Sequence, residues 1–466
     1  MINSPLPLIA LPVIAGVLTF LLRKTTTLSA LIAAGLPTLA ALLALSNPLD
    51  EPLVLLGREL VLTTGDRFAI VYIYLCAAAT FLGVWRTSPR WTYYPVALLA
   101  LAAVAAALGA RPVTVAVVGG QPFDPFAYSV MFITIAAMLT VFPLQGGQPG
   151  VAGGTVRFMV LMVIGLPIFL TSAWFFDQYS QSPDAVNLAQ AAVGLLLFGI
   201  CLWLAVVPFH SWMPAIASEA PPLSSAFALG VINVAVFFLM LDMFHEIRLL
   251  ATSAIAYAVL RLAGVVMTVV GGGLAFAQRD FGRLMGYAVL ADVGVSLVAL
   301  GTGTTGGVSA ALIVVIVRTF GLGLMSMGLA LARQRLPDDR FESLAGLAWR
   351  MPWAATALIV GGFTLAGVPP FAGFAGRWAA LQQVAYTDLA TAVALLSSTI
   401  GVATGTLRGL QSVLRHVDDA ESEKRFDEPL ITIGLLTGAL VLSVLFGLFP
   451  DLILPAIRQM VAAFTG

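Results

Sequence analysis

Charge is what this 466-residue chain has least of: only 10% of its residues are Asp, Glu, Lys or Arg, against about 25% in an ordinary soluble domain. With 60% hydrophobic residues and a mean hydropathy of +0.99, a water-soluble fold is excluded. Lysine is scarcer still. Of the 23 basic residues only Lys24 and Lys424 are lysines, and 23 acids balance the set to a formal charge of zero. Without a basic excess, nucleic acid is not expected as a partner. The two cysteines, Cys76 and Cys201, stand far apart in apolar runs with no CxxC pairing. Redox ligation and a disulfide framework are therefore not expected, and both read as small buried hydrophobes. There is no cysteine cluster for iron and sulfur, no haem motif, and no GxGxxG following a strand, so no metal or cofactor is expected in this chain.

Long apolar runs are what the chain has instead. The first, Leu6 to Leu22, has no basic residue before it and Arg23 and Lys24 after it. That arrangement argues against a cleaved signal peptide and for a first span whose amino terminus lies outside. A bilayer core about 30 Å thick needs roughly 20 apolar residues per helix. On that ruler fourteen spans fit: 4–22, 27–45, 67–85, 92–110, 113–142, 157–176, 187–208, 222–244, 252–277, 283–302, 306–332, 352–386, 388–408 and 429–449. In the fifth, Gly119, Gly120, Gln121, Pro122, Asp124 and Pro125 interrupt the run, so its helix is expected to begin only near Phe126. The fold class is thus an all-α polytopic membrane protein, and the bilayer is its first partner.

Sorting the loops by parity separates the charges. Loops after odd-numbered spans hold fifteen Lys and Arg residues, whereas those after even-numbered spans hold Arg58, Arg67, Arg111 and Arg248. Odd loops are therefore expected in the cytoplasm of a cell (inner) membrane, with both termini outside. The longest polar stretch, 409–428, reads as a solvated cytoplasmic loop.

Two spans are broken by proline. Pro208-Phe209-His210-Ser211-Trp212-Met213-Pro214 ends the seventh, and Gly367-Val368-Pro369-Pro370-Phe371-Ala372-Gly373 interrupts the twelfth. Proline frees a backbone carbonyl, which is tolerated at membrane depth only where protein buries it or a cavity receives it. The breaks lie five spans apart, so they run through the bilayer in opposite directions. That spacing predicts two inverted five-helix repeats, 92–244 and 252–408, within a single membrane domain of residues 1–466. Interrupted helices at matching positions point to an ion or substrate path, the alternative being a structural kink.

Asp242, Asp292, Arg318 and Arg377 fall within spans, with Arg261 in the ninth. A charge at the bilayer centre costs at least about 2.5–3.5 kcal/mol on insertion scales, so each needs a partner or water. Asp292 and Arg318, on adjacent spans, are the pair expected first; Asp242 and Arg261 read as snorkelling or structurally paired. His210 lies beside the first break, where it either titrates near neutral pH or caps freed carbonyls. Gly271-Gly272-Gly273 reads as close helix packing rather than a nucleotide site.

The first break, followed by Glu219-Ala220-Pro221 and Ser225, resembles the P-x-H-x-W-L-P...E-A-P...S signature of antiporter-like membrane subunits. That family is shared by complex I (proton-pumping NADH:quinone oxidoreductase), Mrp-type sodium/proton antiporters and membrane-bound hydrogenases. Asp280-Phe281-Gly282-Arg283-Leu284-Met285-Gly286-Tyr287 is similar to its D-x-K-R-L-x-A-Y stretch, and Gly367 to Phe374 to its G-x-P-P-x-x-G-F break. The resemblance covers essentially the whole chain. With only Asp451 to Gly466 after the last span, it is closest to the family's shorter types.

The resemblance implies proton translocation along a central hydrophilic axis, driven by redox chemistry in partner subunits or exchanged against sodium. It implies other membrane subunits as partners, and any oxidoreductase activity would belong to the whole assembly. The family's working lysines, however, are missing. Its span 5 glutamate would fall between Val117 and Gln121, where there is no acid; its span 7 lysine is Trp203; its span 8 lysine falls at Asn233 or Val234. Its span 11 and span 12 groups are Arg318 and Arg377, and its span 10 histidine is Asp292. Arginine does not deprotonate in a protein, so neither guanidinium serves as a relay. What remains for an ion path is Asp292, His210 and Glu219, with Arg318, Arg377 and Asn233 beside them. The expectation is a divergent subunit whose proton path is altered, the alternatives being a non-conducting structural subunit or a free-standing anion transporter.

Overall fold

The computed structural model describes residues 4–46, 53–55, 58–87, 92–111, 126–146, 153–182, 184–416, 426–428 and 430–465. It is almost entirely helical. Among the described residues eleven helices are long and apolar enough to cross a membrane, and Leu6–Leu21, Tyr93–Gly109 and Pro352–Ala366 are shorter apolar helices. The fifth span begins at Ala127, with Phe126 as its N-cap, where the glycine and proline run ends.

Several helix starts are written in the local sequence. Thr63 and Asp66 form a capping box at the head of Thr64–Val84, and Ser253, Thr304 and Asp388 each accept the backbone N–H three residues on. One helix borrows its cap: the Glu428 carboxylate accepts from Trp353 N at 3.2 Å and Ala354 N at 2.8 Å, at the proline-led start of Pro352–Ala366. The segment read as a solvated loop, 409–428, is therefore partly structured. Helix Leu389–Leu414 runs into it, Phe426 N donates to Arg350 O, and residues 417–425 lie outside the described residues.

Two features depart from the sequence reading. Leu53–Leu55, Arg58–Leu60 and Ala110–Arg111 form a small antiparallel sheet, pairing backbone groups that the loops on that side would otherwise leave to water. Beyond the last span, Leu454–Thr465 is an amphipathic helix that buries Ile457, Met460 and Phe464. The Phe464 ring stacks on Phe238 at 6.2 Å, and its carbonyl lies 3.1 Å from His245 Nδ1.

Burial ranks the helices from centre to rim. The best apolar window of Pro222–Glu246 is wholly buried and that of Phe281–Leu300 is 89% buried, whereas that of Leu430–Leu448 is only 17% buried. The central helices are packed through small residues. A Cβ on Gly264 would meet Gly294 O at 2.6 Å, and one on Gly271 would meet Ala291 N at 2.7 Å. Gly272 faces Ser398 on the other side, while Gly273 faces open space, so two of the three consecutive glycines serve helix contact. Cys76 and Cys201 are free thiols, and both are half-buried rather than buried.

Candidate functional site

The twelfth span breaks where expected, and the break places Arg377. Pro352–Ala366 ends at Gly367, whose φ of +70° is the left-handed conformation that favours glycine. A side chain there would also collide with the aliphatic part of Arg377. After the Pro369-Pro370 turn the chain resumes as Gly373–Val384, packed against the Thr305–Arg333 helix closely enough that a Cβ on Gly376 would meet Val314 Cα at 2.9 Å. Arg377 is thereby folded back against the end of the first half-helix. Its Nη2 donates to Leu365 O at 2.9 Å, satisfying a carbonyl that the helix end leaves free, and the cation lies at the negative end of that helix dipole.

The same Nη2 lies 2.7 Å from Asp292 Oδ1, in the middle of Phe281–Leu300, and both side chains are almost closed to solvent. Nη1 reaches Thr399 Oγ1 at 3.1 Å and Ser398 Oγ at 3.4 Å. Asp292 is thus paired with Arg377, not with Arg318, and the pairing expected first from the sequence is corrected. The cause is the break itself. It turns Arg377 inward over Phe281–Leu300, while Arg318 donates from Nη2 to Asn233 Oδ1 at 3.3 Å and interacts with Asp292 through space, without a hydrogen bond. Arg318 is 2% and Asn233 1% exposed, and neither Arg318 Nε nor Asn233 Nδ2 has a hydrogen-bond partner among the described residues. Asn233 follows a π-helical turn, Ala228–Ile232, which inserts the extra residue that makes this position ambiguous by one in sequence.

Asp292, Arg318, Arg377 and Asn233 are therefore brought together in the protein interior. His210 and Glu219 are not part of that cluster. His210 is half-buried beside exposed Pro208 at the first break, and its Nδ1 has no partner among the described residues. Glu219 is exposed, and its carboxylate accepts Gly154 N at 2.7 Å, capping Gly153–Gln181. It borders a cleft of about 290 Å³ that also includes Arg333. Asp242 is buried, while Arg261 is half-exposed and faces Asp388 at 4.0 Å.

Where the family's pattern places its span 7 lysine, Trp203 is enclosed. Its indole donates to Met162 O at 3.1 Å, its ring packs on Phe169 at 4.5 Å, and Gly165 leaves the room it occupies. The position of the span 5 glutamate, 117–121, lies outside the described residues. Among the described residues no cluster of His, Cys, Asp or Glu has the arrangement to hold a metal ion.

Sequence reasoning missed one charged cluster. Arg333, which the loop count takes only as one of the fifteen basic residues after odd-numbered spans, donates to Ser218 O and Ala220 O and lies 2.7 Å from Asp339, whose carboxylate also accepts Gly282 N at 3.0 Å. These bonds tie the end of the eleventh span to the 218–220 turn before the eighth and to the head of the tenth. The only local signal is the acid pair Asp338-Asp339 after a helix ending in arginine.

The chain is similar to known proteins. Residues 176–402 match the profile of the NADH:quinone oxidoreductase/Mrp antiporter transmembrane family. NADH-quinone oxidoreductase subunit N of Acidithiobacillus ferrooxidans is 29% identical over 236 residues, covering 48% of this chain and 48% of that one. Hydrogenase-4 component B of Escherichia coli is 26% identical over 340 residues, covering 67% of this chain and 50% of its own length. The aligned stretch thus spans about half the length of these curated relatives. Among solved structures, the archaeal membrane-bound sulfane sulfur reductase superposes with a TM-score of 0.82 at 21% identity, covering 98% of this chain and 77% of that one. Respiratory complex I from Thermus thermophilus with bound NADH gives 0.79 at 20% identity, covering 100% and 99%. The Mrp complex from Dietzia sp. gives 0.82 at 19% identity, covering 98% and 52%. These last likenesses establish the fold. With the family profile over residues 176–402 and the relatives, they show this chain to be similar to the antiporter-like membrane subunits that complex I, Mrp antiporters and membrane-bound hydrogenases share.

Proposed function

We propose that this chain is a subunit of a complex I-like or Mrp-like membrane assembly, contributing to proton or sodium translocation coupled to redox chemistry in partner subunits, through an altered path. Its inverted repeats, 92–244 and 252–408, would set the two breaks against each other, with both termini outside. The observation that carries the reading is the buried Asp292–Arg377 pair at the second break. A carboxylate held by a fixed cation at a helix interruption is suited to gate a proton or cation moving on water beside it. Arg318 and Arg377 remain charged throughout, so they set the field and only Asp292 is left to change protonation.

One observation favours a second reading, a subunit that fills a slot without conducting. Trp203 places a packed indole where a chargeable group would be needed, which closes the corresponding route in the amino-terminal half. Purification of the tagged chain from its native membrane tests the common ground of both readings. Recovery with other multispan subunits and a redox module is expected, and recovery of the chain alone and active would contradict both.

A further inference from the structure

We propose that Arg318 and Asn233 form a buried binding site for one small monovalent anion of the halide class, chloride being the simplest. Both side chains are closed to solvent, at 2% and 1% exposure, and they share one hydrogen bond, from Arg318 Nη2 to Asn233 Oδ1. After that bond the pair offers only donors. Asn233 Nδ2 and Arg318 Nε both lack an acceptor among the described residues, and a guanidinium has no acceptor of its own. Buried donors are almost always satisfied, so two orphans on one bonded pair mark a place for an acceptor.

Charge distinguishes which acceptor. The interior cluster holds two guanidinium groups, Arg318 and Arg377, against the single carboxylate of Asp292, and that carboxylate is bonded to Arg377. Among the described residues Arg318 has no carboxylate within ion-pair distance. Asp242, the other buried acid of the Asn233 span, lies two and a half turns further along, about 13 Å by helical rise. A water molecule would satisfy the donors and leave one uncompensated positive charge in a low-dielectric interior, which is strongly unfavourable. A monovalent anion satisfies the donors and neutralises the charge together. The apolar packing of the Pro222–Glu246 span favours a compact, readily dehydrated ion over a phosphate or sulfate. This inference does not depend on whether the subunit conducts.

The test uses the protein in its purified membrane assembly, exchanged into gluconate and titrated with chloride or bromide. For the wild type a saturable rise in Tm of a few degrees is expected with either halide and none with gluconate. Asn233→Asp supplies the counter-charge from within the chain, so N233D is expected to lose the halide response while matching the halide-loaded wild type in Tm. A wild type indifferent to halide, or an N233D protein that responds as the wild type does, overturns the proposal. Bromide-exchanged crystals give a reading that needs no variant. An anomalous peak within hydrogen-bond distance of Arg318 Nε and Asn233 Nδ2 supports the site, and an ordered water there without anomalous signal overturns it.

Discussion

Arg377 Nη2 donates to Asp292 Oδ1 at 2.7 Å and to Leu365 O at 2.9 Å, so one guanidinium nitrogen joins the tenth span to the broken end of the twelfth. The ion pair and the helix break are therefore a single structural unit. Removing either partner leaves the other as a buried unpaired charge, which typically costs about 3–5 kcal/mol, whereas removing both leaves neither member of the pair uncompensated. Arg377→Leu is expected to destabilise the protein strongly in thermal unfolding, and the Arg377→Leu, Asp292→Leu double variant to recover most of the loss. Additive losses would show that the two residues are not coupled.

Gly367 is the hinge that makes this unit. Its φ of +70° and the proximity of Arg377 both disfavour a side chain, so Gly367→Ala is expected to cost about 1–3 kcal/mol. Gly273→Ala, in a helix interior and facing open space, provides the control, with a change near zero or slightly stabilising. Equal effects on Tm would mean that the left-handed turn does not constrain the break.

Trp203 is expected to behave as a packing residue. Trp203→Ala opens a cavity beside Phe169 and frees Met162 O, and core changes of this kind cost about 3–5 kcal/mol. Trp203→Phe retains much of the ring volume and is expected to lose less in the same unfolding measurement. The reverse order would assign the indole a role other than filling space.

Glu219 separates two uses of a carboxylate. As a cap for Gly153–Gln181 it needs an acceptor oxygen but no titratable proton. Glu219→Gln is then expected to leave Tm and proton translocation unchanged, while Glu219→Ala lowers stability by about 0.5–2 kcal/mol. Loss of translocation in the Gln variant at unchanged Tm would return Glu219 to the ion path.

The spans were legible because length and apolarity alone define a membrane helix, and the breaks because proline cannot continue one. The buried charges, Asp292, Arg318 and Arg377, were equally visible. Their pairing was not, because adjacency in the chain favours Arg318 whereas the turn at Gly367 delivers Arg377, and that turn's direction is a tertiary property. Asn233 was uncertain by one position for a local reason, the extra residue of the π-helical turn. The small sheet left no trace, since strands of two or three residues are too short to show alternation. The terminal helix did leave one: Ile457, Met460, Val461 and Phe464 repeat at helical spacing, a pattern that a ruler of about 20 residues passes over.

The central claim is that Asp292 lies on the ion path and that the two arginines only set its field. Proton translocation per electron, measured in membrane vesicles carrying the intact assembly with Asp292→Asn, tests it most directly, with assembly of the variant verified by thermal unfolding. A clear fall in protons moved per electron at preserved electron transfer is the expected result. An unchanged ratio in a fully assembled variant would contradict the account.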